Sequence, residues 1–159
     1  MEYDTIRAVK RAVAVPVIAN GDIDSPQKAR AVLAYTGADA VMIGRAAQGN
    51  PWLFGRIDRY LREGRDPGEP LASEKRLTLI QHLEHLYRFY GTQDGVRIAR
   101  KHFSWYVSAH GGDERSRQLF CAAADPVPQL RIARSIQFAP RYRDVKSDEK
   151  MAQTAVSIG

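Results

Sequence analysis

Two short apolar segments, each ending in a glycine, constrain the fold of this chain more than any other feature. They are Val15-Pro-Val-Ile-Ala-Asn-Gly-Asp-Ile23 and Ala40-Val-Met-Ile-Gly-Arg-Ala-Ala47. Continuous apolar runs of this length are typical of parallel strands that are covered on both faces. Between them, residues 26–35 have an amphipathic pattern with a capping Asp-Ser pair before it and Gly37 after it. The sequence therefore predicts a right-handed βαβ unit.

A parallel sheet needs further strands, and the sequence offers no other candidates for them. About fourteen residues precede the first predicted strand, and neither repeats nor low-complexity stretches are present. A helix is predicted from Asn50 to about Glu63, with Trp52 and Phe54 as packing residues. We place the end of this first domain, residues 1–64, at that point.

The remainder of the chain has a helical pattern. Residues 65–71 are predicted to be a linker, because prolines and glycines there prevent regular structure. Ser73 can cap a helix that Gly91 ends, a second helix covers residues 92–109, and two more follow, from about Glu114 and over residues 126–138. We expect a helical bundle over residues 72–143 and a disordered tail over residues 144–159.

Composition excludes several classes of protein. No apolar run approaches the ~20 residues of a membrane helix, and the N-terminus lacks a signal-peptide pattern, so we expect a cytoplasmic protein without a membrane partner. One cysteine, Cys121, and four scattered histidines exclude a disulfide framework and predict no metal site. The formal net charge of +6 favours an anionic partner such as a nucleic acid.

The two glycine signatures have the components of a phosphate site. Asn20-Gly21-Asp22 and Gly44-Arg45 each follow a predicted strand. Glycine lets a ligand approach the backbone, N–H groups donate to a phosphate, and arginine supplies a charged fork. Each motif alone is more often an ordinary turn, and Asp22 is equally well explained as a turn residue or as a ligand contact. Two successive loops with the same pattern favour a phosphate site, as after strands seven and eight of an α/β barrel.

Three motifs together resemble the C-terminal half of a bacterial tRNA-dihydrouridine synthase of the B-type subfamily. They are Pro16-Val-Ile-Ala-Asn-Gly-Asp-Ile23, Gly37-Ala-Asp-Ala-Val-Met-Ile-Gly-Arg-Ala-Ala47 and Asn50-Pro-Trp-Leu-Phe54. The likeness extends to about residue 140, whereas related flavin barrels usually have Gly-Gly at the first motif and lack a helical appendix. The resemblance implies an α/β then all-α fold: the last two βα units of a TIM (β/α)8 barrel, followed by a small helical tRNA-binding bundle.

The resemblance also implies a reaction. The family reduces uridine to 5,6-dihydrouridine in tRNA with FMN, which NADPH recharges, and the full-length enzyme is expected to be a monomer. Residues that would line the FMN phosphate are Asn20, Gly21, Asp22, Gly44 and Arg45. The catalytic cysteine of the family lies on an earlier barrel loop, and Cys121, in an apolar helical run, does not replace it. We therefore expect no catalytic residue in these 159 residues and no activity from the chain alone.

The predicted helix over residues 92–109 has a basic face. Arg97, Arg100 and Lys101 share one side, with His102 beside them, while apolar residues occupy the other side. The apolar positions are Val96, Ala99, Phe103, Tyr106 and Val107. Such a face suits successive phosphates of a nucleic acid, and it also suits an ordinary solvated helix. The resemblance identifies Arg97-Ile-Ala-Arg-Lys-His102 as a tRNA-binding signature, which Arg131 and Arg134 would extend.

Two other hypotheses remain open. A different FMN or sugar-phosphate barrel with an unrelated helical appendix explains the glycine loops nearly as well. A non-catalytic RNA-binding module with a remnant βαβ piece explains the basic helix. Steeply salt-dependent affinity for tRNA would separate the first of these from a tRNA-modifying enzyme.

Overall fold

The computed structural model of the chain describes residues 3–139, which fall into two compact units divided between Gly68 and Glu69. The first unit is α/β and the second is all-α. Both sides of the division are anchored: Arg56 pairs with Asp66 at 2.8 Å, and the buried Lys75 lies 3.8 Å from Glu69. The expected tail over residues 144–159 lies outside the described residues.

The first unit alternates helices and strands. It contains α1 (Tyr3–Ala12), β1 (Ile18–Asn20), α2 (Pro26–Thr36), β2 (Ala40–Met42), a 3-10 turn (Arg45–Ala47) and α3 (Trp52–Glu63). The hydroxyl of Ser25 accepts from the Lys28 N–H at the start of α2, and Gly37, with φ 70°, ends the helix. The cap signals around α2 are therefore confirmed.

The two strands are parallel, with Ile18 opposite Ala40 and Asn20 opposite Met42. One face of this sheet is covered, since Ala19 is buried in a cluster with Leu53 and Ile57 of α3. The opposite face is open: Ile18 is 62% exposed and Met42 is 56% exposed. The prediction that both faces are covered is thus wrong for the described part of the chain.

Side-chain packing differs from the prediction in α3 as well. Phe54 is 52% exposed, so its predicted packing role is wrong within the described residues, whereas Leu53 and Ile57 are buried. Because residues three apart lie on the same face of a helix, Phe54 shares a face with Ile57, and its exposure means that no described element covers it there.

The second unit contains α4 (Ala72–His110), α5 (Glu114–Ala122) and α6 (Pro126–Ser135). Helix α4 is interrupted at Gly91, which has φ 74° and ψ 178°. The rings of His82 and His102 lie 4.7 Å apart, so the two arms, residues 72–90 and 92–110, run antiparallel side by side. The predicted break at Gly91 is confirmed. The predicted Ser73 cap is wrong, because α4 begins at Ala72 after Leu71 and has no side-chain cap.

The core of the second unit lies between the arms and α5. Phe103 stacks on Phe120 with ring centroids 3.8 Å apart and planes 4° from parallel. All five apolar positions predicted for the second arm are at most 5% exposed, which confirms that face. The buried Gln129 of α6 donates to the carbonyls of Val96 and Phe120 and accepts from the Tyr87 hydroxyl. One amide thus links α6 to both arms and to α5.

None of the described helices is both long enough and apolar enough to cross a membrane.

We predict that Gly95→Ala destabilises the second unit. A Cβ at Gly95 would lie 3.0 Å from the Tyr87 Cα and 3.2 Å from the Leu86 carbonyl oxygen, so the arms would have to separate. The expected clash, about 1–3 kcal/mol, exceeds the ~1 kcal/mol by which alanine favours a helix over glycine. Urea unfolding measures the change.

Gly55→Ala in α3 is the matched control for this substitution. Its Cβ would meet no atom within 4 Å, and its backbone φ is not positive, so a gain of up to ~1 kcal/mol is expected. Equal stability changes in the two variants would contradict the close approach of the arms.

Candidate functional site

An open cleft of about 800 Å³ lies where β1 and β2 end. Because the strands are parallel and in register, the loops that follow them meet at the same edge of the sheet. The cleft is lined by Asn20, Gly21, Asp22, Ile23, Asp24, Gly44, Arg45 and Ala46. The structure therefore brings together all five residues that the sequence suggested for a phosphate site.

The backbone of the first loop has an unusual conformation. Gly21 has φ 151°, and Asp22 has φ 44°, the one positive φ at a non-glycine residue of the described chain. Aspartate tolerates this left-handed region better than most residues do. The Tyr3 hydroxyl donates to the Gly21 carbonyl at 2.6 Å, which ties the loop to α1. Tyr3 was missed by sequence reasoning, since a contact across eighteen residues leaves no local pattern.

Arg45 is the cationic group of the cleft. Its Nη2 lies 2.8 Å from Oδ1 of Asp22, and the two side chains are 85% and 54% exposed. Exposed ion pairs of this kind contribute about 0–1 kcal/mol, so an incoming anion can displace the carboxylate at small cost. Asp24 places a second carboxylate on the cleft wall. An anion therefore depends on Arg45 and on backbone N–H groups for its attraction.

The residues of the cleft fit a phosphate monoester. A Cβ added at Gly44 would meet no atom within 4 Å, so the backbone there is open to a ligand. The 3-10 turn that begins at Arg45 has no side-chain cap, so no capping side chain accepts a hydrogen bond from its first N–H groups. The combination of an open glycine backbone, an uncapped turn and a guanidinium whose carboxylate partner can be displaced suits a phosphate group.

The second arm of α4 carries four of the residues suggested for RNA binding. Arg97 and Lys101 are exposed, as expected. Arg97 Nη2 lies 3.2 Å from Asp94 Oδ1, so an acidic side chain accompanies the basic face. Lys101 Nζ lies 5.0 Å from the centre of the Trp105 ring, which leaves the ammonium at the surface over an aromatic face.

Arg100 does not face solvent with its neighbours. Its side chain is half-buried, and Nη2 donates to the carbonyl of Ala123 at 3.4 Å, where α5 ends. Its Nε is buried and has no hydrogen-bond partner among the described residues. The expectation that Arg100 presents an outward donor is therefore corrected: the guanidinium reaches the last carbonyls of α5, where a cation is favourable.

His102 also differs from the expectation of a basic residue. Its ring lies 4.7 Å from His82 and 4.9 Å from Trp105, and the side chain is half-buried. Burial, with smaller contributions from His82 and Lys101, lowers the pKa of His102 to about 4. The imidazole is thus neutral at pH 7 and packs between aromatic rings. Only the tertiary structure places His82 beside it.

The two arginines of α6 lie at the surface. Arg131 is exposed, and Arg134 Nη2 lies 3.8 Å from Glu84 Oε1 of the first arm, with the two side chains 62% and 44% exposed. Of the six suggested cations, four therefore remain exposed: Arg97, Lys101, Arg131 and Arg134. Among the described residues, no group of three or more histidine, cysteine or acidic side chains could hold a metal ion.

The histidine pair predicts a loss of stability in acid. Burial lowers the pKa of His82 below 6.5, and the neighbouring His85 lowers it further. Below pH ~6.5 the unfolded chain binds protons that folded His82 and His102 do not, so the free energy of unfolding falls as the pH drops toward ~4. Replacing the ring by an amide in His102→Gln should flatten this dependence.

Urea unfolding between about pH 7.5 and about pH 4.5 measures the effect, in a range above the titration of the paired carboxylates. His85→Gln, an exposed position on the first arm, is the control and should retain most of the slope. If the free energy of unfolding of His102→Gln depends on pH as steeply as that of the parent, His102 does not cause the loss of stability in acid.

Comparisons with known proteins place the chain in a family. Residues 1–140 match the family model of dihydrouridine synthase (Dus). The tRNA-dihydrouridine synthase B of Pectobacterium carotovorum is 57% identical over 134 residues, which cover 81% of this chain and 40% of that protein. The proteins of the same name from Salmonella typhimurium and Escherichia coli K12 are 58% identical over 130 residues, with the same coverage. The chain spans about 40% of the length of these relatives, and it belongs to the dihydrouridine synthase family.

Proposed function

We propose that this chain supplies the FMN-phosphate loops and the tRNA-binding helical domain of an enzyme that reduces uridine to 5,6-dihydrouridine in tRNA. Family membership supports the reaction, since the relatives are named tRNA-dihydrouridine synthase B. The observation that carries the cofactor assignment is the cleft in which both glycine loops meet Arg45. The family match extends over both units, which favours a synthase over a barrel with an unrelated helical appendix.

In this proposal residues 1–64, which lie within the first unit, form the last two βα units of a TIM (β/α)8 barrel. Loops after strands seven and eight are the usual phosphate site of that fold, which agrees with the position of the cleft. The open sheet face with Ile18 and Met42 suits the inner wall of a barrel, where side chains from several strands fill the interior. The described chain has two parallel strands, whereas a TIM barrel has eight, and we therefore assign it only two βα units.

Five residues hold the FMN phosphate in this proposal: Asn20, Gly21, Asp22, Gly44 and Arg45. Bound there, FMN would provide the hydride chemistry that reduction of the uracil ring requires, with NADPH as the proposed reductant. The role of Asp22 is to hold Arg45 at the cleft until the phosphate replaces it as partner, which the short and exposed ion pair supports. Cys121 of α5 is half-buried, with Sγ 4.0 Å from the Ser104 hydroxyl, and we assign it a packing role.

Arg45→Ala should weaken FMN binding. The test joins this chain behind the preceding segment of the Pectobacterium carotovorum relative and measures FMN affinity from flavin fluorescence. A charge-assisted hydrogen bond contributes about 1.5–3 kcal/mol, so the loss should be about tenfold or more. Arg45→Lys should recover part of the affinity, because it keeps the charge without the planar fork.

The control for this test is Arg62→Ala, an exposed arginine of α3 whose partner is Asp58. It should leave the FMN affinity unchanged. A folded fusion that retains no FMN would contradict the family-based assignment, and unchanged affinity in Arg45→Ala would remove Arg45 from the site.

The second unit binds tRNA phosphates in this proposal. Arg97, Lys101, Arg131 and Arg134 provide the contacts, because all four charges are exposed. The two ion pairs among them, with Asp94 and with Glu84, are solvent-exposed and exchange for phosphates at little cost. Arg100 and His102 act indirectly, by fixing the end of α5 and by packing beside Lys101.

Neutralising three of these cations should weaken binding to all tRNAs alike. For Arg97→Gln, Lys101→Gln and Arg131→Gln combined, we expect the slope of log K against log salt to become shallower by about 0.7–0.9 for each phosphate that the protein no longer neutralises. Fluorescence anisotropy at several salt concentrations measures the slope. Arg115→Gln, an exposed arginine of α5, is the matched control. The same slope in the triple variant and the parent would exclude this surface from tRNA binding.

A further inference from the structure

The tip of the α4 hairpin exposes two aromatic rings that the phosphate contacts do not use. Phe89 is 81% exposed, more than any other large hydrophobic residue of the described chain, and Tyr90 is 47% exposed. Their ring centroids lie 4.8 Å apart with planes at 81°, so the two rings support each other edge to face. Single exposed apolar residues are common, but a mutually packed aromatic pair at a protruding tip is a preformed surface.

The backbone explains why these rings cannot join the core. Gly91 has φ 74° and ψ 178°, a conformation that is essentially restricted to glycine, and it reverses the chain directly after Tyr90. Residues 88–94 are all exposed. Gly95 lies against the backbone of Tyr87, which holds the two arms together just below the tip. The rings therefore sit on a fixed turn, and little conformational entropy is lost when a partner binds them.

The charge beside the rings favours a nucleic acid over an apolar protein surface. Arg88 precedes Phe89 directly, is exposed, and makes no ion pair with any described residue. An aromatic face beside a free guanidinium matches a nucleotide, whose base stacks while its phosphate accepts from the cation. Bases inside a duplex have both faces covered, so the partner must offer an unpaired base, as the loops of a tRNA do.

We propose that Phe89 and Tyr90 form a stacking platform for an unpaired base of a tRNA loop, with Arg88 at the adjoining phosphate. This inference rests on the proposed binding of tRNA by the second unit. It assigns the hairpin tip a contact with the base face, which is independent of the phosphate contacts of Arg97, Lys101 and Arg131. Every base presents a π-face for stacking on Phe89, so the platform does not depend on the identity of the base.

The experiment measures the affinity of the 159-residue chain for unfractionated tRNA and for a blunt RNA duplex at one salt concentration. Phe89→Ala should weaken binding to tRNA about tenfold and leave duplex binding unchanged. Phe89→Trp should retain the affinity for tRNA, and Phe89→Leu should resemble Phe89→Ala, because leucine keeps apolar area without a flat ring. Leu77→Ala, at a position 61% exposed on the first arm, is the matched control and should resemble the parent.

Several results would overturn the inference. Equal losses of affinity for tRNA and for the duplex would show that the substitution acts through the fold and not through stacking on an unpaired base. A Phe89→Leu variant as tight as Phe89→Trp would replace stacking by simple apolar contact. Sedimentation measures the oligomeric state of Phe89→Ala. If that state changes while the affinity for tRNA does not, the tip contacts a second copy of the chain instead.

The affinity of the parent chain for tRNA separates a wrong stacking platform from a wrong proposed function. If the parent chain has no salt-dependent affinity for tRNA, tRNA binding by the second unit is wrong and the platform is wrong with it. If the parent binds tRNA and Phe89→Ala binds equally well, the platform alone is wrong.

Discussion

The reversal of α4 at Gly91 is the constraint on which the second unit depends. With φ 74° and ψ 178°, this residue turns one long helical segment into a hairpin, and the close approach at Gly95 holds the arms together. In the hairpin Leu79 and Leu83 of the first arm are buried, as is the apolar face of the second arm, while Arg97 and Lys101 remain exposed. It also brings His82 onto His102 and sets the aromatic tip apart from the core. A straight helix over residues 72–110 would have none of these contacts.

Burial divides residues of similar charge into different roles. Lys101 and Arg131 remain exposed, whereas the side chain of Arg100, one position before Lys101, donates to the Ala123 carbonyl at the end of α5. His102 loses its basic character because desolvation penalises the charged imidazole. In the first unit, by contrast, exposure decides the role of Arg45. The Arg45–Asp22 ion pair is exposed and contributes little to stability, so the guanidinium remains available for a ligand.

Local patterns predicted the elements well and the packing less well. The caps of α2 and the break at Gly91 are encoded in a few adjacent residues, so the sequence is sufficient to find them. The apolar face of the second arm follows from the helical period and is buried as predicted. The open face of the sheet and the exposure of Phe54 were not predictable in this way, because burial depends on which elements pack against a side chain.

By itself, the sequence determined the order of the elements and the family and pointed to five residues that share one cleft, because these depend on local propensity and on motifs. The tertiary structure alone decided that the two loops line one cleft, that Asp22 holds Arg45, and that Tyr3 secures Gly21. It also decided which cations of the basic helix reach solvent. Those outcomes depend on contacts between residues far apart in the chain, whose distances and solvation no local pattern specifies.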